Sequence, residues 1–234
     1  MASMRSSATL ALTLVFVAVS GAVATVAAQS IPSPYRYIER GMEVGAEVGY
    51  VSSATGRFGY GPKGGLLTGA RWGIELAGPV SFEAVTGVVS GTRDVVNPGR
   101  DEGDRVVGEA DTRMTTIDAR LKFSFTGRRS WHGLSPFLVA GGGIAMDLSG
   151  TSEDDELLEA EDQFDFGTSF FGTTGVGTRI FVSERLTLRT DAIFQLWQID
   201  TPPGFAEPER GFESVEESEW VSGYRLSVSA VIRW

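Results

Sequence analysis

The stretch 220–234, WVSGYRLSVSAVIRW, alternates at every second residue. Trp220, Tyr224, Leu226, Val228, Ala230, Ile232 and Trp234 share one parity. Gly223, Arg225, Ser227, Ser229 and Arg233 share the other. Successive side chains of a β-strand point to opposite faces. One face of this strand therefore suits hydrocarbon, and the other suits a wet or salt-bridged interior. That combination predicts a strand of a transmembrane β-barrel.

Seven earlier segments repeat the pattern. In 41–52, Met42, Val44, Ala46, Val48 and Tyr50 oppose Glu43 and Glu47. In 65–77, Leu66, Trp72, Ile74 and Leu76 oppose Arg71 and Glu75. In 80–91, Phe82, Ala84 and Val88 oppose Glu83. In 112–126, Ile117, Ala119, Leu121, Phe123 and Phe125 oppose Asp118, Arg120 and Lys122. The alternation in 135–148 is the weakest, because Gly141, Gly142 and Gly143 interrupt it. In 166–182, Phe170, Val176, Ile180 and Val182 oppose Arg179. In 186–199, Leu188, Ala192, Phe194 and Leu196 oppose Arg189, Asp191 and Gln195. A tilted strand of ~9–11 residues crosses the hydrocarbon layer, and each segment is long enough.

The connections alternate as well. Gly78-Pro79, 127–134 and 183–185 are short, whereas 53–64, 93–111, 149–165 and 200–219 are long. Short turns at one end and long loops at the other are the asymmetry of an outer-membrane barrel. The expected fold is all-β: an eight-stranded antiparallel up-and-down transmembrane barrel with four long extracellular loops.

The start of the chain agrees with that address. Arg5 precedes an apolar run over 10–19, and small residues lead to Val26-Ala27-Ala28 before Gln29. This reads as a secretory signal peptide, and its apolar run is too short for a spanning helix. The expected division is a signal peptide at 1–28, a lead-in at 29–40 and the barrel domain at 41–234. A mean hydropathy of +0.01 is ordinary for strands that are apolar on one face only.

Fourteen charged residues fall inside the strand segments: Glu43, Glu47, Arg71, Glu75, Glu83, Asp118, Arg120, Lys122, Asp147, Arg179, Arg189, Asp191, Arg225 and Arg233. Each takes the face opposite its strand's larger apolar residues. Seven are acidic and seven basic. A lipid-facing Arg or Lys near the midplane costs ~2–4 kcal/mol, enough to set each strand's register. Eight strands leave an interior just wide enough for side chains. A barrel-interior charge network is therefore expected, and any conduction through it should be small or gated. Tyr50, Trp72, Phe123, Phe125, Trp220, Tyr224 and Trp234 lie mostly near segment ends, where aromatic girdles form.

The net charge of −10 resides mainly in the long loops and argues against a nucleic-acid partner. The 151–165 stretch alone carries eight acids and no base. A solvated acidic loop is the default reading. Glu153, Asp154, Asp155 and Glu156 are weak candidates for holding a hard cation, because their spacing lacks the alternating Asp/Asn pattern of a calcium loop. The absence of cysteine excludes disulfides, thiolate metal sites and Cys nucleophiles. No cofactor is expected.

Enzymatic chemistry finds little support. A Ser/His hydrolase needs a His beside a Ser, and the single histidine, His132, sits in a short connection near Ser130. No G-x-S-x-G elbow is present. Gly175 and Gly177 lie inside a strand and lack the third glycine of a dinucleotide loop.

The PFLVAGGGIA segment from Pro136, the GVGTRIFVSERLTLRTDAIFQ hairpin from Gly175 and the terminal SVSAVIRW together resemble the small eight-stranded outer-membrane β-barrel superfamily, the OmpA/OmpX-like barrel domain. The resemblance implies the fold, an outer-membrane location and an assembly signal at Trp234 read by the insertion machinery. It implies no single activity, and no catalytic residue carries over. No peptidoglycan-binding domain follows the barrel segment, so a two-domain anchoring role is not implied.

The expected function is an integral outer-membrane protein with a structural or surface-interaction role, presenting acidic loops. Its expected partners are outer-membrane lipid, lipopolysaccharide, the insertion machinery and an unknown surface partner. The alternatives are a narrow low-conductance porin for small solutes and a secreted soluble lipocalin-like ligand-binding barrel. In the second, the apolar parity would point inward.

Overall fold

A computed structural model describes residues 33–150, 152, 154–207, 210, 212 and 215–234. The expected signal peptide at 1–28 lies outside the described residues, and so does 29–32 of the lead-in. Residues Arg36–Trp234 form one compact unit.

Ten strands follow in chain order: β1 (Tyr35–Tyr37), β2 (Met42–Ser53), β3 (Gly64–Ala77), β4 (Val80–Val96), β5 (Val106–Ser124), β6 (Arg129–Trp131), β7 (Leu134–Asp147), β8 (Thr168–Phe181), β9 (Leu186–Asp200) and β10 (Ser218–Arg233). β1 and β6 are three-residue strands. The other eight each pair antiparallel with two neighbours. β10 pairs with both β9 and β2, and β7 with both β5 and β8, so the sheet is closed. Closure leaves none of these eight strands with a free edge along which another chain could add. At the seam, Met42 and Trp234 exchange backbone hydrogen bonds of 3.3 and 3.1 Å.

The pleat sorts the side chains as the sequence parity requires. On β10, Arg225 is 1% exposed and its neighbour Leu226 is 61% exposed. The same sign holds around the barrel: Val48, Leu66, Ile117, Leu121, Val176 and Ile232 face out, and the strand arginines face in. Exposed aromatics form two belts. Phe170, Trp220 and Tyr224 lie toward the long-loop end, and Tyr50 lies below them, level with Leu226. Trp72, Phe123, Phe125 and Trp234 lie toward the short-turn end. A soluble ligand-binding barrel would bury this outward apolar face, whereas here it covers the exterior.

Glycine on the inner face makes room for bulk opposite it. A Cβ at Gly177 would overlap the Phe137 ring, and one at Gly73 would approach Glu43 Cγ to 2.9 Å. The wall is thinned where the largest inward groups cross the lumen.

Two differences from the sequence reading have physical causes. The hairpin of β4 and β5 runs on to Val96 and from Val106, so the loop expected at 93–111 shrinks to 97–105. Inside the extension Thr92 pairs with Asp111 and Arg93 with Ala110. These residues alternate weakly in hydropathy, so periodicity missed them although the ladder continues. The turn-end connection at 127–134 likewise contains β6.

Candidate functional site in the barrel lumen

The lumen has two storeys, and the strands change chemistry between them. Toward the short turns the inward positions carry the charges, with Val85, Phe137, Val139, Ile193 and Val231 buried among them. Toward the long loops they become apolar: Val51, Leu67, Val89, Met114, Ala145, Phe171, Trp197 and Val221.

In the ionic storey, twelve of the fourteen charges join one continuous chain of contacts, six acids and six bases. Arg179 Nη1 lies 2.9 Å from Glu75 and 3.8 Å from Glu43. Lys122 Nζ lies 2.9 Å from Glu43 and 2.7 Å from Glu83. Arg189 bridges Glu83 and Asp191, the latter at 2.6 Å, and its guanidinium stacks 4.2 Å from the Phe137 ring centre. Arg71 joins Asp191 at 3.3 Å to Glu47, and Arg225 joins Glu47 to Asp118 at 3.7 Å. Arg120 closes the chain on Asp118 at 2.6 Å. Isolated, any of these charges would cost several kcal/mol to bury. Equal numbers of opposite sign in mutual contact remove most of that cost.

Two expected members stand outside the network. Asp147 ends β7 and accepts hydrogen bonds from the Ser149 backbone N–H (2.8 Å) and hydroxyl. It has the inward parity but sits at the loop-end limit of its strand, too far up to reach the ionic storey. Arg233 ends β10 at the opposite limit and donates to the Ser183 and Glu184 carbonyls at 3.4 and 3.0 Å. It stacks 4.4 Å from the Phe181 ring and caps the last turn rather than a carboxylate.

The apolar storey is completed by the loops. Phe58, Tyr60, Phe164, Phe166, Phe205 and Phe212 come from three of the long loops and pack on the inward residues below. Ring centres lie 4.8 Å apart for Phe58 and Phe205, 4.9 Å for Tyr60 and Phe164, and 5.6 Å for Phe205 and Phe212. These spacings suit aromatic pairs. Tyr60 donates its hydroxyl proton to Glu219 at 3.0 Å, and Glu219 also accepts from the Arg57 backbone N–H at 2.9 Å. Burial and the Glu219 carboxylate push the Tyr60 phenol well up, so it stays a neutral donor. Sequence parity overlooked this plug. Its available signal was five aromatics in the expected long loops, Phe58, Tyr60, Phe164, Phe205 and Phe212, since large rings are not kept in water without a partner surface.

The acidic loop is partly turned inward. Of the four cation candidates, Glu153 lies outside the described residues. Asp154 leads into a short 3-10 turn, Asp155–Leu157, and Glu156 is exposed. Asp155 is buried, 2.5 Å from Arg93, and accepts from the Ser152 N–H (3.1 Å) and hydroxyl (2.9 Å). Its carboxylate is therefore committed to holding the loop against β4. Among the described residues no group of three acidic or histidine side chains converges as a metal site. Burial would raise the Asp155 pKa, but the Arg93 and Ser152 hydrogen bonds outweigh it and hold the group below its ordinary 3.8. A depressed carboxylate stabilises above its unfolded pKa and loses that stability as pH falls through its folded value. The loop is thus expected to stay docked down to about pH 4 and to loosen below it. Acid-protease cleavage within 154–166, followed against pH, checks this; Arg93→Met should release the loop at neutral pH.

His132 sits in the turn after β6, with φ +49° and its ring 4.8 Å from Trp131. Ser130 is buried on β6. The two are not hydrogen-bonded to each other in the described structure.

No family model matches this chain, and no curated protein matches it. Solved structures do. The outer membrane protein OprG from Pseudomonas aeruginosa superposes with a TM-score of 0.54 at 11% identity, over 85% of this chain and 97% of that one. Neisserial surface protein A gives 0.49 at 14% identity, over 86% and 98%. The N-terminal β-barrel domain of Pseudomonas aeruginosa OprF gives 0.39 at 17%, over 81% and 96%. The first of these, with the closed pairing of eight antiparallel strands, gives the chain the fold of the small eight-stranded outer-membrane β-barrels.

Proposed function

We propose that this is an integral protein of a bacterial outer membrane whose barrel is sealed, and whose role is to hold a folded acidic loop assembly at the cell surface. The observation that carries this is the filled lumen. An ionic storey spans the barrel at one level and an aromatic plug closes it above. The exterior supports the membrane reading, because its apolar side chains lie between two aromatic belts. In this reading the short turns face the periplasm and the long loops face outward. Outer-membrane lipid and lipopolysaccharide surround the barrel, the insertion machinery assembles it, and a surface partner meets the loops.

Two experiments test the proposal. Membrane fractionation with gel mobility before and after boiling should reveal a compact, detergent-extracted form that slows on heating. Single-channel recording of the refolded protein should give no reproducible openings. Phe205 is fully buried among Phe58, Tyr60 and Phe212. Truncating such a ring costs ~3–5 kcal/mol where it cannot be refilled. Phe205→Ala should therefore undock the loops and sharply raise their protease sensitivity. The ionic storey below should keep the barrel non-conducting. Clear openings in the unaltered protein would instead favour the transport alternative.

A further inference from the structure

We propose that a groove at the short-turn rim binds the headgroup of an anionic phospholipid. The groove is shallow, about 570 Å³, and six of its lining residues are Tyr37, Pro79, Phe123, Phe125, Arg128 and Arg129. The inference rests on the outer-membrane reading above, in which this rim meets the inner leaflet.

Three observations converge on it. The first is the order of chemistry along the wall. Phe123 and Phe125 face outward, 46% and 60% exposed, with ring centres 6.1 Å apart in an edge-on arrangement. Aromatic rings mark the depth at which hydrocarbon gives way to headgroups. The two arginines lie just beyond them in the chain. Acyl chain against rings and phosphate against guanidinium is the order in which a glycerophospholipid presents its parts.

The second is pre-positioning. Arg128 stacks 5.2 Å above the Tyr37 ring and donates to the Ile38 carbonyl at 3.4 Å. The Ile38 N–H in turn donates to the Arg128 carbonyl at 2.9 Å. The lead-in residues therefore fix this guanidinium on the rim. No carboxylate among the described residues forms an ion pair with Arg128 or Arg129. Guanidinium groups bind phosphate oxygens through paired N–H donors.

The third is the distribution of charge. The turn end carries Arg36, Arg40, Arg128, Arg129 and Arg185 against Glu39 and Glu184. The long loops hold the great excess of acid. The barrel is thus basic where it would face phospholipid and acidic where it would face the exterior. A zwitterionic lipid offers the same phosphate, but its ammonium group is repelled by this rim. The site should therefore prefer lipids of net negative charge.

The test uses the full barrel refolded into mixed phosphatidylglycerol and phosphatidylcholine bilayers, extracted with its lipid annulus, and assayed for co-retained lipid. A basic side chain near a membrane surface contributes ~1 kcal/mol toward anionic lipid, so two predict enrichment of phosphatidylglycerol of about thirtyfold. R128Q/R129Q should lose most of that enrichment, and R40Q/R185Q should keep it. Equal retention of both lipids by the unaltered barrel would overturn the site. So would a loss of preference in R40Q/R185Q as large as in R128Q/R129Q, which would mean a diffuse basic band. Gel mobility before and after boiling is read on every sample. A heat-modifiable barrel without lipid preference removes this site and leaves the membrane reading standing. A chain that never enters the bilayer removes both.

Discussion

Replacing Asp118 by Leu is expected to destabilise the barrel by about 3–5 kcal/mol, and adding Arg120→Met to the same chain is expected to restore most of that loss. Asp118 is fully buried and is the carboxylate that holds Arg120, at 2.6 Å. Arg225 touches it at 3.7 Å but keeps Glu47 as a second partner. Losing Asp118 therefore strands Arg120, a cation in a dry interior with no other carboxylate in contact among the described residues. Removing one member of a buried pair leaves an uncompensated charge, whereas replacing both by apolar side chains of similar size is often neutral or better. The pair Asp118 and Arg120 sits at the end of the contact chain, so the double variant leaves the rest of the network in place. Urea midpoints of the refolded protein in vesicles give the comparison; if the single variant does not fold, the heat-modifiable fraction of each variant gives it. A double variant no better than Asp118→Leu alone would mean that the network acts through hydrogen-bonding geometry and not through charge balance.

The facing of these residues was legible in the sequence, and their depth was not. A period of two says which way a side chain points. It does not say how far along the barrel axis it lies, because that depends on register between strands distant in the chain. Glu43 and Lys122 are 79 positions apart and 2.9 Å apart in space. Only pairing with intermediate strands brings them level. The same blindness explains Asp147 and Arg233, whose parity is right and whose height is wrong. It also explains the plug. The rule that large apolar side chains face outward fails for Leu67, Met114, Phe171 and Trp197, buried beneath the plug, and for Phe137 and Ile193, buried lower down beside the charges. In a closed barrel, an inward apolar residue is tolerable wherever a loop supplies partners. Phe164 and Phe205 supply them from loops whose acids dominated the sequence reading. Loop packing over a rim leaves no periodic trace, so composition alone made those segments look solvated.

The exterior carries the second large prediction, and its sign separates two kinds of barrel. Leu226 lies near the middle of β10, between Tyr50 on β2 and Ala192 on β9, with its side chain turned outward. Leu226→Arg should cost about 2–4 kcal/mol of folding free energy measured in lipid vesicles. Trp220→Arg, also exposed but at the loop-end belt, should cost only about 0–1 kcal/mol from the charge itself, since the penalty falls toward the interface. The difference has one cause. At the midplane an arginine cannot reach water without distorting the bilayer, whereas at the belt its head group extends into the polar region. Water around the barrel would reverse the expectation: replacing a 61% exposed leucine by arginine would then be close to neutral and would improve solubility. The depth dependence also tests the position of the hydrocarbon band independently of any single residue. A midplane cost no larger than the belt cost would show that Leu226 does not face lipid. It would also remove the basis for seating Phe123 and Phe125 at a membrane boundary, because both belts are defined relative to the same apolar band.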